Sequence, residues 1–122
     1  MAGLRLLACN RKLDKLISTD GRMGAIPGML ADLRATGAKV IYVGYLRSPG
    51  VGSLIEHCRD EGNELEARIE RLAALDEGIH FLSLKELVPF GDRSYHALDM
   101  IHPSVKASSE IGRKVAEIIQ AH

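Results

Sequence analysis

The segment that most constrains the fold is Lys39–Leu46, which reads Lys-Val-Ile-Tyr-Val-Gly-Tyr-Leu. It is short, rich in β-branched and aromatic side chains, and almost continuously apolar. That pattern is typical of a parallel strand covered on both faces. A helix is expected before it, with Pro27 in the first turn and Gly37 at the C-terminal cap. The apolar residues of this helix recur at helical spacing: Ile26, Met29, Leu30 and Leu33.

The same alternation of helix and strand continues along the chain. Residues 54–75 are predicted to be helical, with Glu64 and Arg68 paired on the outer face. Ile79–Leu82 is predicted as the next strand, and a last helix begins near Pro103, which is expected at the first helical position. The helix over 54–75 is expected to bury one apolar stripe: Leu65, Ile69, Leu72 and Leu75. The last helix carries a second stripe: Ile111, Val115, Ile118 and Ile119.

Helices alternating with strands predict a parallel sheet with helices on both faces. We therefore expect a single α/β domain over residues 1–122, with a three-layer α/β/α, flavodoxin-like architecture. Leu4–Cys9 is a further candidate strand, and Asn10–Gly24 is expected to be polar and rich in turns. Ligands of such sheets bind beyond the carboxyl ends of the strands.

Composition narrows the classes of partner. The chain is 46% hydrophobic and 26% charged, as in ordinary globular domains. Its formal net charge is zero and only 4% of its residues are aromatic, which disfavours nucleic acid and anionic membranes as partners. Cys9 and Cys58 follow no metal-ligand spacing and are expected to be reduced thiols. With no signal-peptide pattern or apolar span, a cytoplasmic location is expected.

Asp99 and His102 are the residues with the strongest chemical interest. They are three positions apart, directly ahead of the last helix. A carboxylate that accepts from one imidazole nitrogen fixes the tautomer and leaves the other nitrogen to take a proton. From spacing alone, a solvated Asp99 and a His102 that caps the helix are the commoner outcome.

The block Asp99-Met-Ile-His102-Pro103-Ser104, followed by an apolar helix, resembles the last conserved block of the SGNH/GDSL-type serine hydrolases. Leu33–Gly44 is similar to a helix and core strand of that family, and Leu75–Leu84 to its last strand. The resemblance implies an esterase of carboxylic (acyl or acetyl) esters, with His102 as general base and Asp99 as its orienting partner. It implies a small-molecule ester substrate and no cofactor or metal.

The resemblance also assigns weaker roles. It places Asn10 as an oxyanion-hole donor, and Arg47 and Ser48 as residues that contact substrate. It covers only the later part of the family's fold, because no Gly-Asp-Ser nucleophile block stands upstream of Asn10. If the first strands are absent, the edge near Leu4–Cys9 would favour self-association. The chain alone is then expected to hydrolyse esters poorly or not at all.

Several alternatives compete with this assignment. Ser53, Ser94 and Ser104 are interpreted as ordinary loop or helix-start hydroxyls, since none follows a strand in a sharp nucleophile turn. Asp92, His96, Asp99 and His102 could also be grouped as metal ligands, but they share no periodicity. Two further functions stay open. One is a non-catalytic α/β module or pseudoenzyme fragment that dimerises, and the other is a module binding an anionic ligand at the Pro49–Ser53 loop.

Overall fold

The computed structural model describes residues 13–46, 59–85, 87–88, 92–98 and 102–121. Within those ranges the chain is mixed helix and strand. The helices are α1 (Leu13–Leu16), α2 (Ala25–Ala35), α3 (Arg59–Ala73) and α4 (Val105–Ala121). The strands are β1 (Val40–Val43) and β2 (Ile79–Leu82), and a 3-10 turn, η1, spans Arg93–Tyr95.

β1 and β2 form a two-stranded parallel sheet in the described part of the chain. The Val40 N–H donates to the Gly78 carbonyl, and the Gly44 N–H donates to the Leu82 carbonyl, each at 2.8 Å. Both strands advance by four residues between these two bonds, which defines the parallel direction. The prediction that Ile79–Leu82 pairs with the strand around Val40 is confirmed. β1 is shorter than the expected Lys39–Leu46, and its position as a central strand stays a prediction.

The described residues fall into two compact units. The first contains residues 13–42 and 59–81, and its core is apolar. The side chains buried at its centre come from α2, α3, β2 and the segment after α1: Ile17, Leu30, Ile69, Leu72 and Ile79. Partly buried residues pack around them: Ile26, Val40, Tyr42, Leu65, Ala73 and Phe81. The core therefore joins one face of the helices to the sheet.

Three of the four residues in the predicted apolar stripe of α3 lie in the core or pack against it. Ile69 and Leu72 are buried and Leu65 packs against the core. Leu75 is 51% exposed, so its predicted burial is wrong. The helix ends at Ala73, and beyond that residue the helical periodicity no longer determines where a side chain points.

Arg68 is the largest departure from the expected surface of α3. It does pair with Glu64 at 3.0 Å, but its side chain is only 10% exposed, so the prediction of an outward-facing pair is wrong. Its guanidinium also donates to the Ile17 carbonyl at 2.9 Å and to the Asp14 carboxylate at 2.6 Å. The bonds to Asp14 and to the carbonyl that follows α1 draw the side chain inward. The Asp14 bond and then the Glu64 bond raise the pKa of Arg68.

The segment between α1 and α2 passes close to α3. Gly21 has a φ of 80°, and a Cβ there would lie 2.7 Å from the Arg68 carbonyl oxygen. Only glycine allows both this left-handed conformation and this close approach. The turn signals predicted at Asp20-Gly21 and Gly24 are thus confirmed, whereas the short helix α1 was not predicted.

The C-terminal end of α2 is joined to the turn before β2. Gly37 follows the end of the helix with a φ of 85°, as predicted for the cap, and its N–H donates to the Arg34 carbonyl. Arg34 forms a two-point ion pair with Asp76, at 2.9 and 3.2 Å. Asp76 also accepts from the Gly78 N–H at 2.8 Å. The Arg34 bond and then the Gly78 bond lower the pKa of Asp76.

The second unit contains residues 43–46 and the described residues from Leu82 onward. In α4 the predicted stripe is half-buried at Ile111, Val115 and Ile118. Ile119, the last residue of the stripe, is 64% exposed. Within the described ranges, no helix is both long and apolar enough to span a membrane.

Candidate functional site

His102 is the one residue of the predicted catalytic set that the structure describes. Asp99, Asn10, Arg47 and Ser48 lie outside the described residues. So do both cysteines, the Leu4–Cys9 segment and the Pro49–Ser53 loop. The side-chain pairing of Asp99 with His102 therefore stays a prediction, and so do the roles of Asn10, Arg47 and Ser48.

His102 lies at the end of a short antiparallel pairing that precedes α4. The Ser104 N–H donates to the Tyr95 carbonyl at 3.0 Å, and the Ala97 N–H donates to the His102 carbonyl at 2.8 Å. His96 and Pro103 form the bridge between these two bonds. The main chain of His102 is thus held in place while its side chain is exposed to solvent.

Ser104 is the N-cap of α4. Its hydroxyl oxygen accepts from the Ala107 N–H at 3.2 Å, the third helical residue, and its hydroxyl proton goes to the Ser94 carbonyl at 2.6 Å. The helix begins at Val105. The expectation that Pro103 occupies the first helical position is therefore wrong, as is the alternative that His102 caps the helix. Pro103 instead pairs with His96, one residue before the cap.

Asp92 is the N-cap of the 3-10 turn η1. Its Oδ1 accepts from the Ser94 N–H at 3.0 Å and from the Ser94 hydroxyl at 2.6 Å. These two bonds lower the pKa of Asp92, and the nearby Lys106 and His96 contribute in the same direction. A carboxylate with a lowered pKa is a poor proton acceptor, so Asp92 is suited to holding the turn and not to acting as a base.

Tyr95 connects η1 to the first two turns of α4. It is buried, its hydroxyl donates to the Glu110 carboxylate at 3.3 Å, and the Lys106 ammonium lies 4.4 Å from its ring centroid. The same ammonium donates to the Ser94 hydroxyl at 3.1 Å. The Lys106 side chain thus contacts both the Tyr95 ring and the Ser94 hydroxyl, and it ties the first turn of α4 to η1.

Neither described candidate serine is activated for attack. The proton of the Ser94 hydroxyl points to Asp92, and that of Ser104 points to a main-chain carbonyl. A serine nucleophile needs a base that can remove its proton, typically a histidine. These contacts support the interpretation of Ser94 and Ser104 as structural hydroxyls. Ser53 lies outside the described residues.

His96, a candidate metal ligand from its sequence position, is buried in the turn. Its Nδ1 lies 3.3 Å from the Asp92 carbonyl oxygen. Because a carbonyl only accepts, this contact favours the tautomer with the proton on Nδ1. Across the ranges that the structure describes, no three His, Cys, Asp or Glu side chains converge as metal ligands.

Sequence patterns did carry signals for part of this arrangement. Ser104 stands three residues before Ala107 at the start of an amphipathic helix, the spacing of an N-cap. Asp92 stands two residues before Ser94, the spacing of an Asx turn. The contacts of Tyr95 with Lys106 and Glu110 had no such signal, because they depend on the packing of η1 against α4.

Comparison with known proteins adds no assignment. The sequence matches no protein-family model, and searches of curated proteins and of solved structures found no significant match.

Proposed function

We propose that this chain carries the acid/base portion of an SGNH/GDSL-like serine hydrolase that cleaves carboxylic esters. In this proposal His102 is the general base and Asp99 orients its imidazole. The sheet belongs to a three-layer α/β/α, flavodoxin-like arrangement that lacks the first strands of that fold in this sequence. The nucleophilic serine is not identified in the chain.

The observation that carries the proposal is the placement of His102. Its main chain is fixed by the bond from Ala97, its side chain is exposed, and the last helix begins three residues later. A general base needs both a held position and access to the reacting group.

The order of elements supports the same proposal. β1, α3 and β2 form a parallel pair of strands with a helix between them in sequence, and η1 and α4 follow. Helices between parallel strands are the units from which doubly wound sheets are built. The polar turn that carries His102 comes after β2, as the resemblance implies for the acid/base loop.

The proposed chemistry follows the serine-hydrolase template. The serine Oγ attacks the ester carbonyl carbon while its proton passes to a nitrogen of His102, and the imidazolium returns that proton to the departing alcohol. Water then attacks the acyl-enzyme while His102 takes its proton, and His102 returns that proton to the serine Oγ as the bond to the acyl carbon breaks and the carboxylic acid leaves. Asn10 would donate to the oxyanion, and Arg47 and Ser48 would contact the substrate.

Hydrolysis of a short-chain aryl ester tests the proposal. Without a nucleophile, the chain can only assist water attack, so we expect a slow rate above buffer. His102→Ala should return it to the buffer rate, and Asp99→Asn should lower it. Asp32→Asn is the matched control, because it makes the same change at an exposed position of α2, and it should leave the rate unchanged.

Two results would contradict the proposal. If His102→Ala still hydrolysed the ester faster than buffer does, His102 would not be the general base. Robust turnover that is lost on Ser94→Ala or Ser104→Ala would place the nucleophile in the turn itself and replace the proposed division of roles.

A further inference from the structure

A groove of about 410 Å³ lies in the second unit, away from the His102 turn. Among the described residues it is lined by Leu82, Ser83, Leu87, Arg113 and Lys114. Its volume falls within the range of small-molecule sites, toward the lower end. None of these residues takes part in the proposed hydrolysis.

The groove begins where β2 ends. Leu82 is the last residue of that strand and is buried, Leu87 is half-buried, and Ser83 follows directly after the strand. In open parallel sheets, ligands bind beyond the carboxyl ends of the strands. The two leucines provide an apolar floor that could contact a short hydrocarbon chain.

Two cations stand beside this apolar surface. Arg113 and Lys114 lie on α4, with side chains 62% and 47% exposed. The Glu117 carboxylate contacts both, at 2.7 Å from the Arg113 guanidinium and 3.5 Å from the Lys114 ammonium. One carboxylate is thus shared between two positively charged side chains. Five N–H donors on arginine also exceed what one carboxylate can accept.

The groove is a different place from the His102 turn. Arg113 is nine residues after the Ser104 N-cap, which is roughly 14 Å along the helix axis at 1.5 Å per residue. A small ester bound at His102 would not reach this distance. Ligand binding in this groove therefore does not depend on the proposed hydrolase function.

We propose that this groove binds a small carboxylate that carries a short apolar chain. The carboxylate would lie against Arg113 and Lys114, and the chain would lie on Leu82 and Leu87. Arginine recognises carboxylates through two parallel N–H donors, whereas an apolar chain gains by leaving water. A purely polar anion would gain nothing from the apolar surface, and a neutral lipid would gain nothing from the two cations.

Octanoate is the probe, titrated into the full chain and followed by amide chemical shifts. We expect binding in the range of about 10 μM to 1 mM, with shift changes centred on Ser83, Leu87, Arg113 and Lys114. Acetate has the anion without the chain and octanol has the chain without the anion. Each should bind at least roughly tenfold more weakly, because acetate loses the burial of the apolar chain and octanol loses the charged hydrogen bonds.

Two double variants distinguish binding in the groove from nonspecific electrostatic attraction to surface cations. Arg113→Gln/Lys114→Gln should weaken octanoate binding roughly tenfold or more. Lys15→Gln/Arg22→Gln removes the same charge from exposed positions of the first unit and should leave the affinity unchanged. Both double variants change only exposed side chains, and their amide spectra report whether the fold is kept.

The proposal is overturned by absence of octanoate binding at about 1 mM, by octanol binding as tightly as octanoate, or by equal weakening in both double variants. Shift changes centred on His102 instead of the groove would also overturn it, because they would place the ligand at the other site.

Discussion

The Ser104 hydroxyl donates to the main-chain carbonyl of Ser94 at 2.6 Å and, through the same oxygen, accepts from the first turn of α4. One side chain thus ties the start of the last helix to the turn η1. The His102 main chain lies between these two anchored segments. The turn is therefore held from both sides, by main-chain bonds and by the Ser104 hydroxyl.

Replacing Ser104 with alanine should reduce stability. The change removes the N-cap and the bond to Ser94, so we expect the free energy of unfolding to fall by about 1–2 kcal/mol in urea denaturation. Ser109→Ala is the matched control, because Ser109 is an exposed residue within α4. It should change stability by no more than about 0.5 kcal/mol. Equal losses in the two variants would mean that Ser104 does not cap the helix.

Gly21 and Gly28 should respond to alanine in opposite directions. A methyl group at Gly21 would lie 2.7 Å from the Arg68 carbonyl oxygen and would need a left-handed backbone. We expect Gly21→Ala to lower the free energy of unfolding by roughly 2–4 kcal/mol. Gly28 is within α2, with open space around it, and Gly28→Ala should raise stability by about 0.5–1 kcal/mol. A tolerated Gly21→Ala would refute the close approach to α3.

The Arg34–Asp76 pair predicts a pH-dependent loss of stability. The pKa of Asp76 is lowered in the folded chain, first by Arg34 and then by the Gly78 N–H. Its contribution is complete above the unfolded carboxyl pKa of about 3.9 and is lost as the pH falls through the lower folded value. The stability difference between the wild type and Asp76→Asn should be largest near pH 7 and should shrink below about pH 4. Thermal unfolding across this range provides the measurement, and a constant difference would contradict the pairing.

The Tyr95 hydroxyl offers a test of the packing between η1 and α4. Tyr95→Phe removes its bond to Glu110 and leaves the ring beneath Lys106. We expect a loss of about 0.5–1.5 kcal/mol in the free energy of unfolding. Lys106→Met removes the ammonium from the ring and from Ser94, and it should also destabilise the chain. If both changes were neutral, the polar contacts of this turn would contribute nothing to its stability.

The sequence contained enough information for the parallel pair of strands. Val40–Val43 is a β-branched and aromatic run, and Ile79–Leu82 repeats that character after one amphipathic helix. Local periodicity carries such information because it reflects which face of each element is buried. It does not determine where a helix stops, which is why Leu75 was wrongly placed in the core.

The errors at Arg68 and Pro103 have a different origin. Arg68 turns inward because it bonds the Ile17 carbonyl, a partner 51 residues away in sequence. Pro103 lies outside α4 because the antiparallel pairing with His96 occupies it and leaves the cap to Ser104. Contacts between distant segments decide both positions, and no pattern within one segment reveals them. The positions of Asp99 and His102 in the sequence indicated a polar turn before α4. They did not indicate the main-chain and Ser104 bonds that hold this turn.

The central claim is that Asp99 orients the imidazole of His102, and the tautomer of that ring tests it most directly. The ¹⁵N chemical shifts of the histidine rings, measured at alkaline pH, should show one fixed tautomer at His102 in the wild type and a mixture in Asp99→Asn. His96 provides an internal control, because its Nδ1 faces the Asp92 carbonyl and its shifts should be the same in both proteins. Identical His102 ring shifts in the wild type and Asp99→Asn would contradict the account.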